Sequence, residues 1–213
     1  GGSQAPGRRG GTAGQTRRAE ALVERNIKEA ARFAARFFAE SRVRRVVIGG
    51  TEANVSRFAS QLPKQWRSLI AGTFPMDMTA GHAQVFEKAM LVARGAEQER
   101  QARIVEAIVT AAAKGREGVI GLDDTLEAVR VGRVQTLVIR DGLRSPAYRC
   151  QQCGHFTAQH LDACPFCGGS VAMIDDAAEY AVREVMAAGG DVEVVRGNPG
   201  LDRAGGIVGL LRY

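Results

Sequence analysis

No apolar run in this 213-residue chain approaches the length that crosses a bilayer, so nothing in it reads as a membrane span. Nothing resembles a secretory signal either, and Gly1 to Gln15 hold no large apolar side chain. Cytoplasm is then the default compartment. No cysteine lies outside one short window, which leaves nothing to pair at long range and makes an oxidised framework the weaker reading. No nucleophile, base and orienter can be read off the linear order, so the residues alone define no active site. The first residue is Gly1 and not Met, which leaves room for an upstream domain. What is there, 45% hydrophobic and 24% charged residues, is an ordinary globular composition with space for one large or two small domains.

All four cysteines fall between positions 150 and 167, as Cys150-x2-Cys153-x10-Cys164-x2-Cys167. Each Cys-x-x-Cys can form a tight knuckle that aims two sulfurs at one point, and Gly154 and Gly168 follow where such a knuckle needs a left-handed residue. Two disulfides or a redox pair are the rival readings. The doubled knuckle favours structural Zn²⁺ in a closed set of four thiolates, with no open position for a water. Such a metal marks architecture and not catalysis. A ribbon this short has almost no core, so the metal should supply its folding free energy, and chelation should unravel the stretch near 150 to 167 first. His155 and His160 lie between the knuckles and read as surface residues.

Charge is placed unevenly. Positions 1 to 45 carry eleven Arg or Lys against four Glu, a net +7, and everything after that sums to −1. Arg8, Arg9, Arg17, Arg18 and Arg25 lead this segment, and a localised, arginine-rich excess is what a phosphate backbone attracts through counterion release and forked hydrogen bonds. The rival reading is a solvated helix face carrying pairs such as Lys28 with its acidic neighbours.

Residues 1 to 15 cannot pack a core and read as a mobile, glycine-rich loop. From Thr16 to about Ser41, Leu22, Val23, Ile27, Phe33, Phe37 and Phe38 form an apolar stripe at helical spacing, expected to be core, with arginines on the outer side. A strand over Val43 to Ile48, a helix from Ala53 stopped by Pro63, and a strand over Leu69 to Phe74 follow. The stretch Phe74 to Asp77 reads as a domain boundary, dividing 16–78 from 79–213. Beyond it the pattern predicts a helix capped by Thr79, a second helix ending at Lys114, and a helix over Thr125 to Val131 capped by Asp123 or Asp124. A strand over Val134 to Ile139, the cysteine insertion at about 146–171, a helix from Asp176 to Ala188, and strands at Val192 to Val195 and Ile207 to Leu211 complete it. Helix and strand alternation of this kind makes an α/β layer sandwich.

Three stretches resemble the archaeal and eukaryotic class-1 peptide chain release factors and their relative Pelota. They are VVIGGTEANVSRFASQLP at Val46 to Pro63, GVIGLDDTLEAVRVGRVQTLVI at Gly118 to Ile139, and the terminal GGIVGLLRY at Gly205 to Tyr213. The resemblance runs in order over about residues 16 to 213, is closest to the divergent bacterial homologues, and includes a four-cysteine mini-domain in the same place. It implies a partial ribonuclease-H-like middle domain, then an α/β/α sandwich like the kink-turn-binding ribosomal proteins with an inserted zinc ribbon. The family's codon-reading N-terminal domain is not present in this chain.

The resemblance also implies a function on the ribosome, with large-subunit rRNA and peptidyl-tRNA as partners, and with a translational GTPase as a further one. The family's Gly-Gly-Gln loop precedes the long middle-domain helix; its glycines let backbone enter the crowded peptidyl-transferase centre, where the glutamine amide stabilises an oxyanion as water attacks the ester. The matching region here offers Gly10-Gly11-Thr12 and Ala13-Gly14-Gln15, neither a strict match, so Gly10, Gly11, Gly14 and Gln15 are the candidate catalytic residues. The readings that follow are a release-factor-like hydrolase of peptidyl-tRNA in termination or rescue, a noncatalytic RNA or ribosome adaptor resembling Pelota, and a zinc-stabilised protein-interaction module.

Overall fold

The computed structural model describes residues 11–77 and 79–213, and the chain divides into two compact units at Glu97/Gln98. This division lies within a helix, beyond the 78/79 boundary that the sequence suggests.

In the first unit, α1 (Gly11–Glu40) is followed by β1 (Val46–Gly49), α2 (Glu52–Gln61), the single turn α3 (Lys64–Arg67) and β2 (Ile70–Phe74). Thr51 caps α2 by accepting the Asn54 N–H at 3.4 Å. Pro63 ends it by holding Leu62 extended, with Leu62 itself buried. β1 and β2 pair in parallel, with Val46 opposite Ile70 and Gly49 opposite Phe74, as a β-helix-β connection allows. Gly49 is required there, because a Cβ would stand 2.6 Å from the Phe74 ring.

Two expectations fail in α1. It begins at Gly11 and not at Thr16, so Gly11 to Gln15 are helical where a loop was expected. Once the Ala-, Arg- and Glu-rich stretch from Thr16 has nucleated a helix, each added residue gains a hydrogen bond, which offsets the roughly 1 kcal/mol that each glycine costs relative to Ala. The apolar stripe is also largely not core: Ala31 is buried and Ile27, Ala34 and Phe38 are half-buried, while Leu22, Val23, Phe33 and Phe37 are exposed. A two-stranded sheet and one short helix offer too little surface to cover thirty residues of helix.

The helix α4 (His82–Ala113) replaces the two helices expected between Thr79 and Lys114. Only Gly95 interrupts the good helix formers between them, and one interior glycine does not end a helix of this length. In the first unit its Val92 fills the space that a side chain at Gly72 would need, 2.5 Å from that Cβ position.

The second unit is built on β3 (Gly118–Ile120), β4 (Val134–Arg140), β8 (Asp191–Val195) and β9 (Ile207–Leu211), in the order β3-β9-β4-β8. β4 runs parallel to β8 and antiparallel to β9. Strand alternation sorts the core. Leu137, Val134 and Ile207 face one layer with α5 (Leu122–Arg130) and α6 (Ala177–Ala187), and Val138, Val195 and Val208 face the other with α7 (Pro199–Arg203) and Val105 and Ile108 of α4. The result is an α/β/α arrangement. Asp176 caps α6 by accepting from Ala178 and Glu179 N–H at 3.1 Å each. Gly121, at φ +80, stands at the cap of α5, not Asp123 or Asp124. A third sheet, β6 (Phe156–Thr157), β5 (Ala147–Cys150) and β7 (Val171–Ile174), is antiparallel in the order β6-β5-β7 and carries the cysteines. It is joined to the main fold by Phe156 and Ala147, both fully buried in the α5/α6 layer, and by Asp123, whose carboxylate accepts the Ala158 N–H at 2.6 Å.

Candidate metal centre and basic helix

The two knuckles repeat one local geometry. After each second cysteine a left-handed glycine turns the chain, Gly154 at φ +76 and Gly168 at φ +69. Their N–H groups donate back to Cys150 O at 3.1 Å and Cys164 O at 2.8 Å, closing the two turns. Cys150 Sγ comes to 3.4 Å from Cys167 Sγ, and Cys153 Sγ to 3.6 Å from Cys164 Sγ. All four sulfurs lie within 4.8 Å of one another. A tetrahedral site with Zn–S of about 2.3 Å has sulfur–sulfur edges of about 3.8 Å, so the donor set fits such an ion. No pair approaches the roughly 2.05 Å of a disulfide bond.

The electrostatics agree with a shared cation. The Cys153 N–H, pointing at Cys150 Sγ from 3.5 Å, draws the Cys150 thiol down to about 6. At Cys153 the His155 backbone N–H acts the same way, but burial and the three neighbouring sulfurs outweigh it and push the thiol up to about 12. Four thiolates so close cannot all carry charge without a positive partner. His155 and His160 are not in the set: His155 stacks edge-on with Phe166 at 4.5 Å and His160 with Tyr148 at 5.0 Å.

The structure places Arg17, Arg18 and Arg25 on α1, all exposed. At about 100° of rotation per residue, these three, Lys28, Arg32 and Arg36 fall within a roughly 100° arc, about 28 Å long. Arg32 and Arg36 are exposed too and belong to the same face; their spacing of seven and four residues from Arg25 and Arg32 was the signal for them. Among the described residues only Arg25 of the six has an ion-pair partner, Glu29 at 3.1 Å, and both side chains are so exposed that the pair is weak. Most of this face lies on the other side of the helix from Ile27, Ala31 and Phe38, which pack inward, while Arg32 and Arg36 border the end of α2 at Gln61 and Pro63. Arg8, Arg9 and Gly10 lie outside the described residues. Gly11, Gly14 and Gln15 form the first turns of α1, with open space beside Gly14. The cysteines belong to the second unit, and Gly11, Gly14 and Gln15 to the first.

The fold is of the Pelota kind. The chain is similar to ribosome-bound archaeal Pelota, solved with ABCE1, at 18% identity over 89% of this chain and 49% of that one, with a TM-score of 0.53. It is similar also to Dom34 of S. cerevisiae, a translation termination-like factor involved in RNA quality control pathways and interacting with Hbs1, at 13% identity over 89% and 51% of the chains, TM-score 0.50. The chain thus spans about half the length of these two proteins. Residues 2–94 match the model of bacterial archaeo-eukaryotic release factor family 10. Residues 2–94 are thus similar to a bacterial release-factor family and the chain shares the fold of Pelota, in line with the resemblance of the three sequence stretches. No curated protein matches it.

Proposed function

We propose that the protein binds the large ribosomal subunit in the cytoplasm, with the basic face of α1 against rRNA, and acts there as a release or rescue factor with a translational GTPase as partner. The observation that carries this is the face itself: six cations on one side of a long helix that packs mainly by its other side. The similarity to a release-factor family supports the same reading. The four cysteines hold structural Zn²⁺, which fixes the ribbon against α5 and takes no part in a reaction.

In the hydrolytic form of this reading, Gly10 to Gln15 reach the peptidyl-tRNA ester. Water attacks the ester carbonyl carbon, the bond to the tRNA ribose oxygen breaks, that oxygen takes a proton, and the Gln15 N–H stabilises the tetrahedral oxyanion. Gln15 lies inside α1 as described from Gly11, where the helical i→i−4 pattern pairs its N–H with the Gly11 carbonyl. Freeing it requires the first turn to open. The two glycines make that opening cheap, since each already costs a helix about 1 kcal/mol.

The same helical start favours a second reading, a noncatalytic adaptor in which α1 docks on RNA and Gln15 keeps its helical bond. Release of nascent peptide from stalled ribosome complexes separates the two. The hydrolytic reading predicts release by the wild-type chain and its loss in Gln15→Ala with ribosome binding intact. Equal inactivity of both, while binding persists, defeats it and leaves the adaptor.

A further inference from the structure

The seam between the cysteine sheet and the α5/α6 layer carries a cluster that neither the metal centre nor α1 uses. Phe156 and Tyr180 are both buried, with ring centroids 4.9 Å apart and a 40° tilt. The guanidinium carbon of Arg149, on β5, lies 5.6 Å from the Phe156 centroid and 5.9 Å from that of Tyr180. Arg183, on α6, lies 5.7 Å from the Tyr180 centroid. Arg130, on α5, donates its Nε to Glu127 at 2.9 Å and stands beside Gly154 of the first knuckle. A groove of about 760 Å³ opens here, lined by Arg130, Arg149 and the knuckle backbone with Gln151 and Gln152.

Arg149 decides what this groove can take. Among the described residues no carboxylate pairs with it, and its exposed guanidinium stands over two aromatic rings. A guanidinium held by its face keeps its edge free to donate a planar fork, and the rings have already restricted its side chain, so less is lost when an anion binds. Arg183 adds a second cation on the same Tyr180 ring. The groove is larger than one phosphate or carboxylate needs, and the Gln151 and Gln152 amides offer both donors and acceptors, as ribose hydroxyls and base edges require. An acidic peptide has less use for paired amides.

We infer that this groove and the adjoining Tyr180 rim are a second RNA-contact surface, taking the phosphate backbone of an RNA strand with Arg149, in the groove, and Arg183, on the Tyr180 ring beside it, as the phosphate donors. The inference rests on the ribosome-binding reading but uses residues of the other unit. The test is binding of a fluorescent twelve-nucleotide oligouridine to the full chain over a salt series, for wild type, Arg149→Gln, Arg183→Gln and, on α1, Arg25→Gln. Arg183 is exposed and outside the core, so its variant keeps the test valid should Arg149→Gln disturb folding. The expected result is a several-fold weaker affinity for each groove variant and a salt slope flatter by about 0.7, one single-strand phosphate contact. Polyglutamate of equal charge should compete poorly. Unchanged affinity and slope in both groove variants, with Arg25→Gln still weakened, overturns this inference and leaves the α1 reading standing. Polyglutamate competing as well as RNA overturns it in favour of an acidic protein ligand, and no RNA uptake by wild type defeats both readings.

Discussion

Removing the metal should destabilise far more than the ribbon. From the spacing alone, chelation unravels the stretch near 150 to 167 first, with nothing to say how far the loss spreads. In the fold, Phe156 is 2% exposed and sits in the main core against Tyr180, with Ala147 beside it at 0%. If the four sulfurs lose their shared cation and β5, β6 and β7 open, Phe156 leaves that core, and emptying a Phe site costs about 3–5 kcal/mol. For a domain of this size about 4 °C follows each kcal/mol, so the second unit should melt roughly 12–20 °C lower. The chain labels its two units separately: its one Trp, Trp66, is in the first, and its three Tyr, Tyr148, Tyr180 and Tyr213, are in the second. Thermal melts followed by tyrosine near-ultraviolet circular dichroism and by tryptophan fluorescence, before and after complete chelation, read both. The expected outcome is one Zn²⁺ per chain, a large downward shift in the tyrosine melt and little change at Trp66. A tyrosine melt that stays put after stoichiometric zinc has been withdrawn refutes the reasoning, as does failure to bind zinc.

Two glycines should respond oppositely to alanine. At Gly118 a Cβ would lie 2.5 Å from Ile108 O and 2.6 Å from Ala112 N, both backbone, so Gly118→Ala should cost about 2–3 kcal/mol in denaturant titration of the second unit. Gly14 is helical with open space around it, so Gly14→Ala should raise helicity at 222 nm and stabilise α1 by up to about 1 kcal/mol. The Arg130 fork holds the Glu127 carboxyl below its ordinary 4.5, so this pair's contribution is present above that value and disappears as pH falls through the lowered one. Glu127→Gln should therefore destabilise the second unit slightly at pH 7, by less than about 1 kcal/mol in denaturant titration, and not at pH 2.

Which features were legible depended on how local their cause is. The cysteine spacing and its two glycines set the knuckles without help from the rest of the chain, and the sulfurs converge as that spacing implies. Strands β4 and β9 were readable because Val134 to Ile139 and Ile207 to Leu211 are continuous apolar runs, as strands covered on both faces must be. Strand β3 was missed because three residues beginning with glycine carry no period, and it exists through its pairing with β9. The exposed Phe33 and Phe37 show the opposite failure: helical spacing gives a face but not what covers it. Asp123 has the chemistry of a cap, yet Gly121 turns the chain into α5 and frees the carboxylate to hold the Ala158 N–H of the ribbon, a long-range partner no local rule predicts. Arg149 was invisible for the same reason, since its aromatic seat is assembled from β6 and α6.

The most direct test of ribosome engagement through α1 is co-sedimentation with 50S particles, comparing the wild-type chain with a variant carrying Arg18→Glu, Arg25→Glu and Arg32→Glu. These three side chains are exposed, so the variant should fold as the parent does. The account predicts that the wild type pellets with the particles at moderate salt and that the variant remains in the supernatant; a wild type that does not pellet, or a variant that pellets equally, contradicts it.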